Sequence, residues 1–143
     1  MRIAVKRVYQ EPARADGQRV LVDRLWPRGL TKQAADIDEW LRDIAPSHEL
    51  RKWFHARPEA WVTFRKGYLK ELCSPVAERA LAKLYRLARR GKVTLLYASK
   101  NEERNNATVL KELLEGARKP PTGAGPAAAG AVRMRQAARA PRR

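Results

Sequence analysis

Cysteine occurs once in the chain, at Cys73, so no disulfide can form within it and a reducing compartment fits. Histidine occurs twice, at His48 and His55, which leaves no Cys/His cluster of zinc-binding spacing. Apolar runs are short. None approaches the ~20 residues that a membrane-spanning helix needs. The opening Met1-Arg2-Ile3-Ala4-Val5-Lys6-Arg7 has too brief an apolar run for a secretory signal, and the expected location is the cytoplasm. Neither common spacing of a glycine-rich phosphate loop is present, and nothing calls for a cofactor or a metal. Acidic residues are also scarce, 15 against 31 Lys/Arg, for a net charge of +16. Residues 118–143 contain no acid and seven of those basic side chains, leaving 24 basic against 15 acidic in residues 1–117. Such an imbalance favours anionic partners, among them phosphates, nucleotides and nucleic acid.

The stretch with the most chemistry is Asp23-Arg24-Leu25-Trp26-Pro27-Arg28-Gly29. It follows the apolar run Val20-Leu21-Val22, which reads as a short buried strand. A second buried strand, Val93-Thr94-Leu95-Leu96-Tyr97-Ala98, runs into Ser99-Lys100-Asn101 and then a polar loop that leads to a helix. Two apolar runs that each end in charge predict that residues 19–25 and 93–98 are parallel strands of one sheet. Their carboxyl ends then share an edge, where α/β folds place ligands. Arg24, Arg28 and Lys100 would supply charge there, and Asn105 with Trp26 would supply shape. Asp23 would orient a guanidinium or move a proton, so Asp23 and Lys100 are the catalytic candidates. Ser47 and Arg51, at a helix start, are placed at the same mouth. The competing reading is an Asp–Arg pair that pins a loop, with Trp26 as a core plug. Cys73 reads as inert, and a triad drawn from Ser47, His55 and Asp23 has no support beyond the presence of those residue types.

Around these strands the expected architecture is a small α/β domain over residues 1–117, a short, mostly parallel sheet flanked by helices. Residues 2–9 alternate as a first strand whose place in the sheet is open. The connection 10–18 is too short for a helical crossover, so the first two strands are either antiparallel partners or not neighbours. Asp36 and Glu39 suggest a capping box for a helix that carries Ile37, Trp40, Leu41 and Ile44. Ser47 is read as the N-cap of the next helix and Pro58 as the opening of a third. Trp61, Phe64, Tyr68 and Leu72 form that third helix's core stripe. Ser74-Pro75 begins a fourth helix, which Gly91 ends as a C′ residue. Residues 118–143 hold 15 Ala, Gly or Pro among 26 and no aromatic, which predicts a disordered basic tail.

Asp16-Gly17, the run from Val20 through Gly29, Ala45-Pro46-Ser47 with Glu49-Leu50-Arg51, and Thr94 through Lys100 with Asn105 together resemble the YeaO-like proteins. These are small bacterial proteins of a domain-of-unknown-function family, number 488 in that series. The resemblance covers residues 1 to about 116 in collinear order. It implies a compact α/β fold with a largely parallel sheet, and it brings no established activity. Many members carry histidine where this chain has Asn106, so a base or ligand role there is not carried over. Asn105 keeps the pattern. The function expected is binding of a small anionic ligand, phosphorylated or nucleotide-like, at the strand carboxyl ends, with any reaction on it left open. The alternative is a nucleic-acid-binding module that uses the basic surface and tail.

Overall fold

Residues 1–116 are described by a computed structural model. Four strands pair in parallel throughout: β1 (Ile3–Arg7), β2 (Gln18–Leu21), β3 (Glu39–Trp40) and β4 (Val93–Tyr97), in the order β1-β4-β2-β3. β4 lies between the first two strands, in register with Ile3 and Gln18 at Val93, so β1 and β2 are not neighbours. Every residue of β4 is buried, as expected of an inner parallel strand covered on both faces. The parallel pairing of the two charge-tipped strands is as the sequence predicts.

Strand alternation divides the core. Val20, Val22, Val93, Leu95 and Tyr97 join a larger cluster with α3 (Trp61–Glu71), α4 (Pro75–Arg90) and α5 (Asn106–Gly116). Leu21 and Leu96 face the other way and form a smaller cluster with Val8, packed against Trp26, Leu30, Ile37 and Trp40. In the smaller cluster Trp26 and Trp40 meet edge to face with centroids 5.5 Å apart.

The helix expected from Asp36 does not form. Thr31 instead caps a four-residue helix, α1 (Lys32–Ala35), and Asp36 ends it in the left-handed conformation at φ 49°. The buried Arg19 holds this turn, its Nε and Nη2 donating to the carbonyls of Asp36 (2.9 Å) and Ala35 (2.8 Å) while Nη1 pairs with Asp16 at 2.5 Å. Glu39 and Trp40 then pair with β2, and residues Arg42–Ile44 make a 3₁₀ turn. Gly17, before β2, sits at φ 66°, and a Cβ there would lie 2.4 Å from the Lys92 carbonyl oxygen. Only glycine allows that approach.

Ser47 caps α2 (His48–Ala56) and Ser74 caps α4, each hydroxyl accepting an amide three residues on. α3 starts at Trp61, three residues after the expected Pro58. Gly91 follows α4 in an extended conformation, φ 176°, and not as the left-handed residue expected. The tail from 118 lies outside the described residues.

Candidate functional site

The carboxyl edge of the sheet is closed by a side chain. The Val22 amide continues the ladder by donating to the Leu96 carbonyl, and the next rung is the Ala98 amide donating to Asp23 Oδ2 at 2.9 Å. Asp23 Oδ1 accepts from Asn106 Nδ2 at 3.0 Å, and the same amide nitrogen reaches the Val22 carbonyl at 2.9 Å. One carboxylate thus joins the ends of β2 and β4 to the first residue of α5, where the helix dipole favours negative charge. Burial pushes the Asp23 pKa above its ordinary value. The bonds from Asn106 and Ala98 and the charge of Arg51 act against that rise without cancelling it.

Arg24, one residue on, turns the other way. Its Nε and Nη2 donate to the carbonyls of Pro46 (3.3 Å) and Ala45 (3.0 Å), fixing a half-buried guanidinium. Its Nη1 has no hydrogen-bond partner among the described residues. Arg24 lines a cleft of about 330 Å³ with Asp43, Ala45, Ser47, Glu71, Ser74 and their neighbours. Within the lining, Ser47 donates twice to Glu71, from its amide to Oε1 (2.8 Å) and from its hydroxyl to Oε2 (2.6 Å). Tyr68 lies beneath, its hydroxyl bonded to the Ile44 carbonyl. Complete burial, with the negative charges of Asp23 and Glu71 nearby, drives its pKa well upward against the opposing charge of Arg24, so it stays a neutral donor.

Of the residues singled out in the sequence, Arg24 and Ser47 line this cleft. Asp23 feels the charge of Arg51, but neither of these two nor any of the others is in the lining. Trp26 packs in the smaller core cluster with its indole N–H on the Leu30 carbonyl (2.7 Å), the core-plug role the sequence also allowed. Arg28 is exposed, and its carbonyl accepts from Tyr9. Lys100 is exposed in the turn after β4, with no hydrogen bond or ion pair to a described residue. Asn105 caps α5, accepting from the Thr108 amide at 3.0 Å and donating to the Asn101 carbonyl at 2.8 Å.

Glu71 and Asp43 were not picked out by sequence reasoning, Ser74 was read only as a helix start, and Asn106 was noted without being given a base or ligand role. Asn106 follows a strand–loop unit at the first position of a helix, the one local signal that it faces the strand ends. Glu71 lies 24 residues from Ser47, a separation at which sequence pattern carries no signal. Among the described residues, no group of three or more His, Cys, Asp or Glu side chains is arranged to hold a metal ion. No helix among them is long and apolar enough to cross a membrane.

A family model described as the inactive DUF488-N3 subclade matches residues 2–130. The chain is similar to the uncharacterised protein YeaO of Escherichia coli (strain K12), 46% identical over 114 residues, which cover 80% of this chain and 97% of that protein. It is also similar to the uncharacterised protein Rv3073c of Mycobacterium tuberculosis (strain H37Rv), 44% identical over 115 residues, or 80% of this chain and 95% of the relative. No solved structure matches it.

Proposed function

We propose, since the chain belongs to the YeaO-like DUF488 family and matches the subclade described as inactive, that it binds a small anionic ligand in the Arg24 cleft without chemically changing it. The observation that carries this reading is the half-buried guanidinium of Arg24. Two carbonyls hold it in place, and one nitrogen remains uncommitted at the wall of a 330 Å³ cleft. Clefts from about 300 Å³ upward accept small metabolites.

The lining has both signs of charge. Arg24 suits a phosphate, while Asp43 and the Ser74 hydroxyl suit hydroxyl donors on the same molecule. A phosphorylated polyol or a nucleotide has both groups. Binding without turnover fits the place of Asp23, which spends its oxygens on the Ala98 and Asn106 hydrogen bonds and is not among the residues lining the cleft. A general base needs a lone pair directed at its substrate. Lys100, outside the lining, supplies no second catalytic group at the cleft.

The test is thermal unfolding with and without a panel of phosphorylated sugars, nucleotides and inorganic phosphate. A ligand that binds the folded state alone raises the Tm. Arg24→Gln should remove that response, and Asp43→Ala should weaken the response to polyol phosphates while leaving that to inorganic phosphate. A wild type indifferent to every anion, combined with a badly destabilised Arg24→Gln, would reduce Arg24 to a structural pin.

A further inference from the structure

α4 is the longest described helix, and its two sides differ sharply. Ala77, Leu81, Leu84, Tyr85 and Ala88 are buried. The opposite side presents Arg79, Lys83, Arg86 and Arg90, all exposed. At 3.6 residues per turn, spacings of four, three and four residues place these cations within an arc of roughly 60° along about 16 Å of helix. Ala77 and Ser74, which line the Arg24 cleft, lie at the helix's beginning, so the stripe is a separate surface.

We infer that this stripe docks on the phosphate backbone of duplex nucleic acid. Successive phosphates of one strand advance about 3.4 Å along a duplex, so 16 Å of stripe spans roughly five of them. Negative charge nearby is limited. Glu78 is the only acid of α4 and is half-buried, and Glu39 meets Lys83 at 3.0 Å in an exposed pair that salt weakens. An anionic membrane fits less well. A membrane-surface helix inserts an apolar face, and the exposed large apolar residue of α4 is Val76 alone. Single-stranded nucleic acid fits less well too, because it is held by stacking on aromatic side chains and no exposed aromatic lies on α4. What remains is a contact to phosphates, blind to sequence, and residues 118–143 add seven more cations to the same chain.

The experiment measures binding of the full chain to a fluorescent 20-base-pair duplex of arbitrary sequence over a range of salt. Three proteins are compared: the wild type, a stripe variant with Arg79, Lys83, Arg86 and Arg90 changed to Gln, and a charge-matched control with the exposed Lys32, Lys52, Lys66 and Lys70 changed to Gln. The tail contributes equally to all three. Each phosphate contact contributes about 0.9 to the slope of log affinity against log salt, so the stripe variant should lose roughly 3 to 4 from that slope. The control should keep the wild-type slope. Should the fourfold variant unfold early, single Arg79→Gln, Arg86→Gln and Arg90→Gln chains serve instead, each losing about 0.9. Equal losses in stripe and control variants, or no wild-type binding at low salt, would overturn the inference. So would stripe-dependent binding to phosphatidylserine vesicles without binding to the duplex.

Discussion

Asp23 is a carboxylate with three structural neighbours and an unfavourable medium. It holds β2, β4 and α5 together through Ala98 and Asn106, yet burial raises its pKa above the ordinary 3.8. A folded state that holds a proton more tightly than the unfolded chain loses stability as pH rises from about the unfolded value through the folded one. Asp16 has the opposite sign. Burial pushes its pKa up, but the Ala13 amide, Lys6 and Arg19 outweigh that and hold it below 3.8, so its contribution is lost as pH falls through the folded value. Asp23→Asn isolates the first effect. Its amide nitrogen would face one of two donors, a cost that does not vary with pH. The stability advantage of the wild type over Asp23→Asn should therefore shrink as pH is raised above about 4, read by urea unfolding at successive pH values. An advantage that grew over that range would mean that Arg51 and the two hydrogen bonds outweigh burial.

Between elements, α2 and α3 are joined by the stacking of Phe54 on Phe64, centroids 4.4 Å apart, and by one polar clamp. α2 has no buried residue, and only half-buried Leu50, Trp53 and Phe54 pack it on the core. Glu71, the last residue of α3, holds Ser47 by both its amide and its hydroxyl, and that same hydroxyl caps α2. Ser47→Ala removes a cap and a bond to a charged acceptor, and should cost about 1–3 kcal/mol in denaturant unfolding. The double variant with Glu71→Ala should cost clearly less than the sum of the two single changes, because they share a partner. Elements of this kind were unevenly legible in the sequence. The two apolar strands and the capped helices α2 and α4 announced themselves, since local pattern and burial agree there. Residues 37–44 misled because Ile37, Trp40, Leu41 and Ile44 have helical spacing but serve different layers: Ile37 and Trp40 pack on the smaller cluster, Leu41 and Ile44 in the larger. Periodicity reports that residues are buried; it does not report that two separate cores bury them. The same limit applies to the site. Asp23, Arg24 and Ser47 stood out next to strand and helix ends, whereas Glu71 and Asp43 reach the cleft only through tertiary packing.

For the molecule as a whole, the order β1-β4-β2-β3 makes the last strand in sequence the one that joins the rest. Without Val93–Tyr97, β1 has no strand partner and β2 keeps only the two-residue β3. A fragment of residues 1–91 retains α2, α3 and α4 but should show no cooperative thermal transition by calorimetry, even where circular dichroism reports helix. A sharp transition in that fragment would mean that the helical layer folds by itself. The central position of β4 also sets a schedule for birth on the ribosome. Translation at about 5–20 residues per second puts roughly 4–14 s between completion of β2 and arrival of β4. For most of that interval the nascent chain carries β1 with no strand partner and β2 with one edge open and only the two-residue β3 on the other. The newborn protein is therefore most exposed to chaperones, proteases and its own copies before residue 97 emerges.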